Sequence, residues 1–304
     1  MFNFDPMFRT LIFNLSLLVT FIILPTESFS QPFDWEGHRG SRGLMPENTL
    51  PAFHKGLELG VKTLEMDVVI TKDRKVVVSH DPWIDPAICL DTTGNEIKPD
   101  TSRGIKIYDL TYDELSKFDC GSKGNVLFPR QEKIAASKPL LSDVFRMAEK
   151  YCKDYDRNLT FYNIEIKSQP DWDNDYTPPV KDFCDLVYSV VNDFVPWDRV
   201  VIQSFDLRAL KYFHKKYPGV TLALLVENDN NPEKMIRELG FRPEIYSPEY
   251  TLLKPRNVEW LHANHIKVVP WTVIDTDEMR KLMKMKVDGI ITDYPDLIIA
   301  ATGK

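Results

Sequence analysis

The chain has no basic tract, no internal repeat of sequence and no low-complexity stretch, and its cysteines are few. Each absence closes a class of function. Lys and Arg total 38 against 45 Asp and Glu, giving a net charge of -7, and they are scattered. Phosphate-backbone binding wants a basic field, so nucleic acid is not expected as a partner. The apolar run LIFNLSLLVTFIIL (Leu11 to Leu24) is fourteen residues, too short to span a bilayer comfortably. The four cysteines, Cys89, Cys120, Cys152 and Cys184, are 31, 32 and 32 apart, which matches no zinc-ligand pattern. GHRGSRG (Gly37 to Gly43) has glycines, but at GxxGxxG spacing, which is not a dinucleotide fingerprint. With 304 residues, 43% apolar and 27% charged, the chain has ample material for a large core, as one large α/β domain or two ordinary ones.

The first thirty residues differ from the rest. Arg9 precedes the apolar run, and PTESFS follows, with Ser28-Phe29-Ser30 as a small-x-small cleavage site before Gln31. This three-part layout reads as a secretory signal peptide over 1–30, although Asp5 offsets Arg9; an uncleaved membrane anchor is the alternative. The expectation is export to a periplasmic or extracellular space, with no stable membrane anchor after cleavage. All four cysteines then lie where disulfides persist. A Cys89–Cys120 bridge is one expectation; Cys152 and Cys184, in or near successive helices, are a second pair or buried free thiols.

From residue 31 onward, short β-branched runs alternate with helical patterns. The strand candidates are Phe33–His38, Thr63–Val69, Leu159–Lys167, Arg199–Phe205, Val220–Val226, Glu244–Tyr250, Ile266–Val273 and Asp288–Asp293. Gly60, Gly219 and Gly240 fall where helix C-caps belong. Eight strands alternating with helices predict a (β/α)8 TIM barrel over 31–304, with a doubly wound open sheet as the alternative. The interval from about 82 to 138, rich in Pro, Gly, Asp and Lys, breaks the rhythm. It reads as a small insertion after strand 2, on the active-site side.

In such a barrel, functional residues lie at the C-terminal ends of strands. TLEMDVVITKDRKVVVSHD (Thr63 to Asp81) reads as a strand, a turn, a second short strand and an abrupt His-Asp. Glu65 and Asp67, at i and i+2 of a strand, point to one face, where two carboxylates repel unless something positive lies between them. Glu165 and Lys167 repeat the spacing at the end of the third strand. Glu65, Asp67 and Glu165 together make an all-oxygen site suited to Mg2+, Ca2+ or Mn2+ rather than zinc. The alternative is structural pairing of these acids with Lys167 and Arg39, an expensive arrangement in a buried setting. His38 and His80, at a strand end and a hairpin end, are the candidate proton carriers.

GHRGSRGLMPENTLPAF, GVKTLEMDVVITKDRKVVVSHD, NIEIK, QSF, PWTV and VDGIITDYPD resemble, in order, the glycerophosphodiester phosphodiesterase family, from about Phe33 to Ile299. The resemblance implies a (β/α)8 barrel and a hydrolase that uses one divalent cation to cleave small glycerophosphodiesters to an alcohol and glycerol 3-phosphate. It implies that Glu65, Asp67 and Glu165 hold the metal and that His38 and His80 form the acid–base pair. Arg39 and Lys167 would hold phosphate oxygens, Glu47 and Asn48 would shape the pocket floor, and Trp271 would contact substrate. It also implies that the insertion caps the site and tunes the alcohol accepted. The chain departs from the family pattern at Ile274, where Asn is frequent, and at Lys286, where Gly is common. Rival readings are a lysophospholipase D-like or other phosphodiesterase on the same barrel, and a non-catalytic secreted binding protein.

Overall fold

The computed structural model describes residues 33–98 and 104–303. The signal-peptide reading of 1–30 falls outside them. The order of elements is β1 (Asp34–Gly37), α1 (Leu50–Glu58), β2 (Thr63–Ile70), β3 (Val76–Val78), α2 (Tyr112–Leu115), α3 (Leu141–Asp154), β4 (Phe161–Ile166) and α4 (Val180–Phe194). β5 (Val200–Ser204), α5 (Leu207–Lys216), β6 (Thr221–Val226), α6 (Pro232–Leu239), β7 (Ile245–Pro248), α7 (Pro255–Ala263), β8 (Lys267–Val268), α8 (Thr276–Lys284), β9 (Gly289–Thr292) and α9 (Ile298–Thr302) complete it.

Eight of these strands are parallel and adjacent in the order β8-β7-β6-β5-β4-β2-β1-β9. Backbone bonds from Asp288 N to Val268 O (2.9 Å), Ile291 N to Pro270 O (3.0 Å) and Val273 N to Ile291 O (3.0 Å) join the two ends of the path. The result is the TIM barrel. The seventh barrel strand, expected over Ile266–Val273, is regular only at Lys267–Val268. Pro270 lacks an N–H and cannot donate to the ladder, so regular pairing stops before it.

The strand period of two separates the two faces cleanly. On β2, Leu64 and Met66 face the helices and join the main apolar cluster, while Glu65 and Asp67 occupy the alternate, inward positions. On β4, Tyr162, Ile164 and Ile166 belong to the same outer cluster, while Asn163 and Glu165 alternate with them. The helices supply the complementary stripe. α3 buries Leu141, Val144, Phe145, Ala148, Tyr151 and Cys152, and α4 buries Val180, Phe183, Cys184, Val187 and Val191, at helical spacing. α1, α5, α6 and α8 start at the side-chain caps Thr49, Asp206, Asn231 and Asp275. Gly240 ends α6 with a left-handed φ of 85°, a conformation a Cβ disfavours. Inside the barrel the small apolar cluster of Ala223, Ile245, Val269 and Ile291 lines the β6–β9 side. The β1–β5 side is polar.

β3 runs antiparallel to the end of β2, pairing Val68 with Val78 and Ile70 with Val76. It launches the segment 82–138, whose described part carries its own apolar cluster: Ile84, Ile88, Cys89, Ile97, Ile107, Leu115, Phe118 and Cys120, seated on Val69 and Val77. Short bridges (Trp83–Lys106, Leu90–Glu96, Leu90–Asp119) and a capping box at Thr111/Glu114 order it. Cys89 and Cys120 form a disulfide inside this cluster. Cys152 and Cys184 are buried free thiols.

Candidate active site

The strand ends deliver three carboxylates to one place. Glu65, Asp67 and Glu165 each offer an oxygen within 4.8 Å of the others, and all three are buried, at 2%, 1% and 7% exposure. Pairing of Asp67 with Glu165 across β2 and β4 sets them at one level of the barrel. Each has a second tie. Glu65 Oε2 accepts from the Arg39 backbone N–H (2.8 Å), and Glu65 Oε1 accepts from Gln203 Nε2 (2.8 Å). Asp67 Oδ2 accepts from Asn48 Nδ2 (2.8 Å). Lys167 Nζ lies 2.9 Å from Glu165 Oε1 and 3.8 Å from Asp67 Oδ1.

Two histidines border the trio. His38 Nδ1 sits 2.6 Å from Asp293 Oδ1, which orients the ring and leaves Nε2 4.0 Å from Glu65 Oε2. Asp293 is in turn held by Arg42, whose Nε and Nη2 donate to its two oxygens at 3.1 Å. His80 Nδ1 is 3.1 Å from Asp81 Oδ1. Arg39 Nη1 donates to Glu47 Oε1 (2.6 Å), and its Nε lies 3.3 Å from Asp67 Oδ2. Arg39 and Asn48 are among the non-glycine residues with positive φ (49° and 56°), a strained backbone that turns both side chains toward the carboxylates.

Burial and mutual repulsion dominate the electrostatics. Burial, with Asp67 and Glu165 nearby, pushes Glu65 well above the usual carboxylate range. Burial pushes Glu165 up to about 7 despite Lys167. Burial acts on Asp67 too, but Arg39, His80 and Lys167 outweigh it and hold its carboxyl well below the usual range. Burial depresses His38 to about 4 against the pull of Asp293, and it depresses His80 as well. The trio is a set of hard oxygen donors that cannot all carry charge unaided, which is the setting a divalent cation fits.

The site opens into a cavity of about 980 Å3. His38, Arg39, Glu65, His80, Glu165 and Lys167 line its charged side, and Trp83, Trp172, Phe205, Leu207, Leu225 and Trp271 line an apolar side. Trp271 is fixed by donating to Ser247 O (2.8 Å) and meets Phe205 edge-on at 5.6 Å. Of the residues expected from the sequence, His38, Arg39, Glu65, His80, Glu165, Lys167 and Trp271 line the cavity, whereas Asp67, Glu47 and Asn48 do not. Glu47 and Asn48 stand behind the cavity wall, where they hold Arg39 and Asp67, and are not among its lining residues. Sequence reasoning placed Gln203 and Asp293 at strand ends without roles and passed over Arg42. The signal for Asp293 is its place one residue past β9, in phase with the inward Ile291; nothing local marks Arg42.

Comparison with known proteins agrees with this geometry. The model of the glycerophosphoryl diester phosphodiesterase family matches residues 38–297. A glycerophosphodiester phosphodiesterase of Caldanaerobacter subterraneus subsp. tengcongensis is 33% identical over 266 residues, 86% of this chain and 94% of that protein. The crystal structure of a Silicibacter pomeroyi DSS-3 protein bearing the same family name superposes with a TM-score of 0.76 at 27% identity, over 88% of this chain and 92% of that one. The Oleispira antarctica phosphodiesterase OLEI02445, solved with sn-glycerol-3-phosphate as product, shares the fold at 21% identity, with a TM-score of 0.70 over 89% of this chain and 97% of that one.

Proposed function

Because the chain belongs to the glycerophosphoryl diester phosphodiesterase family, and is an enzyme of that activity, we propose that it hydrolyses small glycerophosphodiesters by metal-dependent acid–base catalysis with two histidines. The observation that carries the reading is the convergence of Glu65, Asp67 and Glu165 within 4.8 Å, beside a cavity that His38 and His80 both line. Glu65, Asp67 and Glu165 would hold one Mg2+, Ca2+ or Mn2+ ion. When bound, that ion supplies positive charge against the developing charge of the phosphoryl oxygens.

The chain's own residues do the rest. Arg39 and Lys167 bind non-bridging phosphate oxygens, and Glu47 keeps the Arg39 guanidinium in place. Trp271 and the apolar wall exclude water from the alcohol side. One of His38 and His80 takes the proton of the attacking oxygen as its bond to phosphorus forms. The other, entering the step as an imidazolium beside the phosphate anion, gives its proton to the alcohol oxygen as that bond to phosphorus breaks, and the proton taken up by the first restores it between turnovers. Asp293 and Asp81 hold these rings in register through their Nδ1 atoms. Overall, one water is consumed, and an alcohol and glycerol 3-phosphate are released.

The test is a panel of glycerophosphodiesters and lysophospholipids assayed for glycerol 3-phosphate, before and after chelation verified by elemental analysis. Activity lost on chelation and restored by Mg2+, Ca2+ or Mn2+ supports the proposal; full activity in metal-stripped protein refutes it. Export through the N-terminal segment belongs to the same proposal. N-terminal sequencing of the mature protein begins at Gln31 if it holds.

A further inference from the structure

We infer that Glu36, at the inward face of β1, is a positioning residue that sets the direction of two buried amides and through them presents Glu65 to the cation. The inference rests on the metal reading proposed above. The geometry is a directed chain. Asn163 Nδ2 donates to Glu36 Oε2 at 2.8 Å and to Gln203 Oε1 at 3.2 Å. Gln203 Nε2 then donates to Glu65 Oε1 at 2.8 Å. All four side chains are at least 98% buried, so no water substitutes freely for a lost link.

An amide has one donor end and one acceptor end, and a chain of amides transmits that polarity. Glu36 accepts and therefore draws the NH2 end of Asn163 toward itself. Both hydrogens of that NH2 are then used, the second on Gln203 Oε1. With its oxygen engaged, Gln203 must turn its own NH2 to Glu65. Reversal of Gln203 would set its oxygen against Glu65, and reversal of Asn163 would set its oxygen against Glu36 and Gln203 Oε1, a repulsion in a low-dielectric interior. The arrangement leaves a mark, because Asn163 Oδ1 is buried with no hydrogen-bond partner. A buried carbonyl is rarely left unpaired, so both hydrogens of that amide are being used at the expense of its oxygen. Burial and the nearby Asp34 carboxyl also push Glu36 well above the usual carboxylate range. A glutamine, with one acceptor on a side chain of the same length, is therefore its conservative replacement.

The test measures Mn2+ affinity by calorimetry on chelator-stripped full-length protein, with thermal unfolding recorded alongside. Outer-shell partners of metal ligands typically matter by about 10–100-fold in affinity. Glu36→Leu is expected to weaken Mn2+ binding about 10-fold, Gln203→Leu by as much or more, and Glu36→Gln by less than about threefold. Because Glu36 acts through Gln203, Glu36→Leu added to Gln203→Leu is expected to weaken binding no further. A Glu36→Leu protein that is folded and binds Mn2+ like the unaltered one overturns the inference. So does a full additional loss in the double variant, which would mean a route other than Gln203. If Glu36→Leu does not fold, Asn163→Ala cuts the same chain and is held to the same two comparisons. Unaltered protein that binds no Mn2+ at all overturns the metal reading and this inference with it, an outcome distinct from failure of the relay alone.

Discussion

Replacing Asp293 by Asn isolates the contribution of a single buried carboxylate to proton transfer. Its Oδ1 is 2.6 Å from His38 Nδ1, and the pair is nearly excluded from water. When His38 carries a proton during the reaction, two unit charges whose centres are roughly 4 Å apart attract by about 4 kcal/mol at an effective dielectric of about 20. Asparagine keeps the shape and a hydrogen bond but not the charge. Losing about 4 kcal/mol from the protonated form corresponds to about 10³-fold in rate, within the range general acid–base groups supply. The assay is kcat/KM for glycerol 3-phosphate release at saturating Mn2+, with Mn2+ affinity measured separately. Affinity should change little, because Asp293 touches none of the three carboxylates in the trio. Repeating the assay with bis(p-nitrophenyl) phosphate, whose phenolate leaves unaided, assigns the role. If His38 is the acid, the loss largely disappears on the aryl ester; if it is the base, the loss persists on both. A folded Asp293→Asn enzyme within about threefold of the unaltered one on the natural substrate would refute a proton-carrying role for His38.

Glu65→Gln and Glu165→Gln should each weaken Mn2+ binding while leaving the barrel folded, as calorimetry and circular dichroism would show; unchanged affinity would count against the assigned ligands. Trp271→Ala should raise KM about five- to thirtyfold, with kcat less affected, because about 1–2 kcal/mol of cavity contact is lost in ground and transition state alike. The Cys89–Cys120 bridge closes a loop of 31 residues and stabilises by about 3–4 kcal/mol on the chain-entropy account. Urea unfolding with and without reductant should differ by that order, and alkylation without reduction should leave both cysteines unlabelled.

What the sequence made legible was whatever depends on local phase. The i, i+2 spacing of Glu65 and Asp67 is enough to put both on one face of a strand, and Glu165 and Lys167 follow the same rule. Alternation of strands and helices is likewise a local signal, and it was enough for the barrel. The partners were not legible, because the barrel brings together residues far apart in the chain. His38 and Asp293 are 255 positions apart, Glu65 and Gln203 138, and Glu36 and Asn163 127. A lone Glu two residues before His38 carries no local sign that an asparagine will complete it. The insertion was legible as an insertion but not as a core. Its polar, Pro- and Gly-rich composition conceals a small core, because Val69 and Val77 are contributed by neighbouring strands and a disulfide supplies part of the rest. The short β8 follows from one residue, Pro270, whose missing N–H outweighs the β-branched run around it.

The two histidines are rooted in different material. His38 continues β1, inside the closed barrel, whereas His80 comes off the three-residue β3. In that strand Val76 and Val78 belong to the main apolar cluster and Val77 to the cluster of the insertion. β3 is a seam between two cores that need not melt together, since local units open at free energies below that of the whole. Opening of the smaller unit would carry off His80, and Trp83 just beyond it, while the carboxylate trio stayed rooted in β2 and β4. Such a molecule would keep the three carboxylates together and lack one of the two histidines. Opening in that order would limit activity on warming by the insertion rather than by the barrel, with turnover lost below the temperature at which secondary structure is lost.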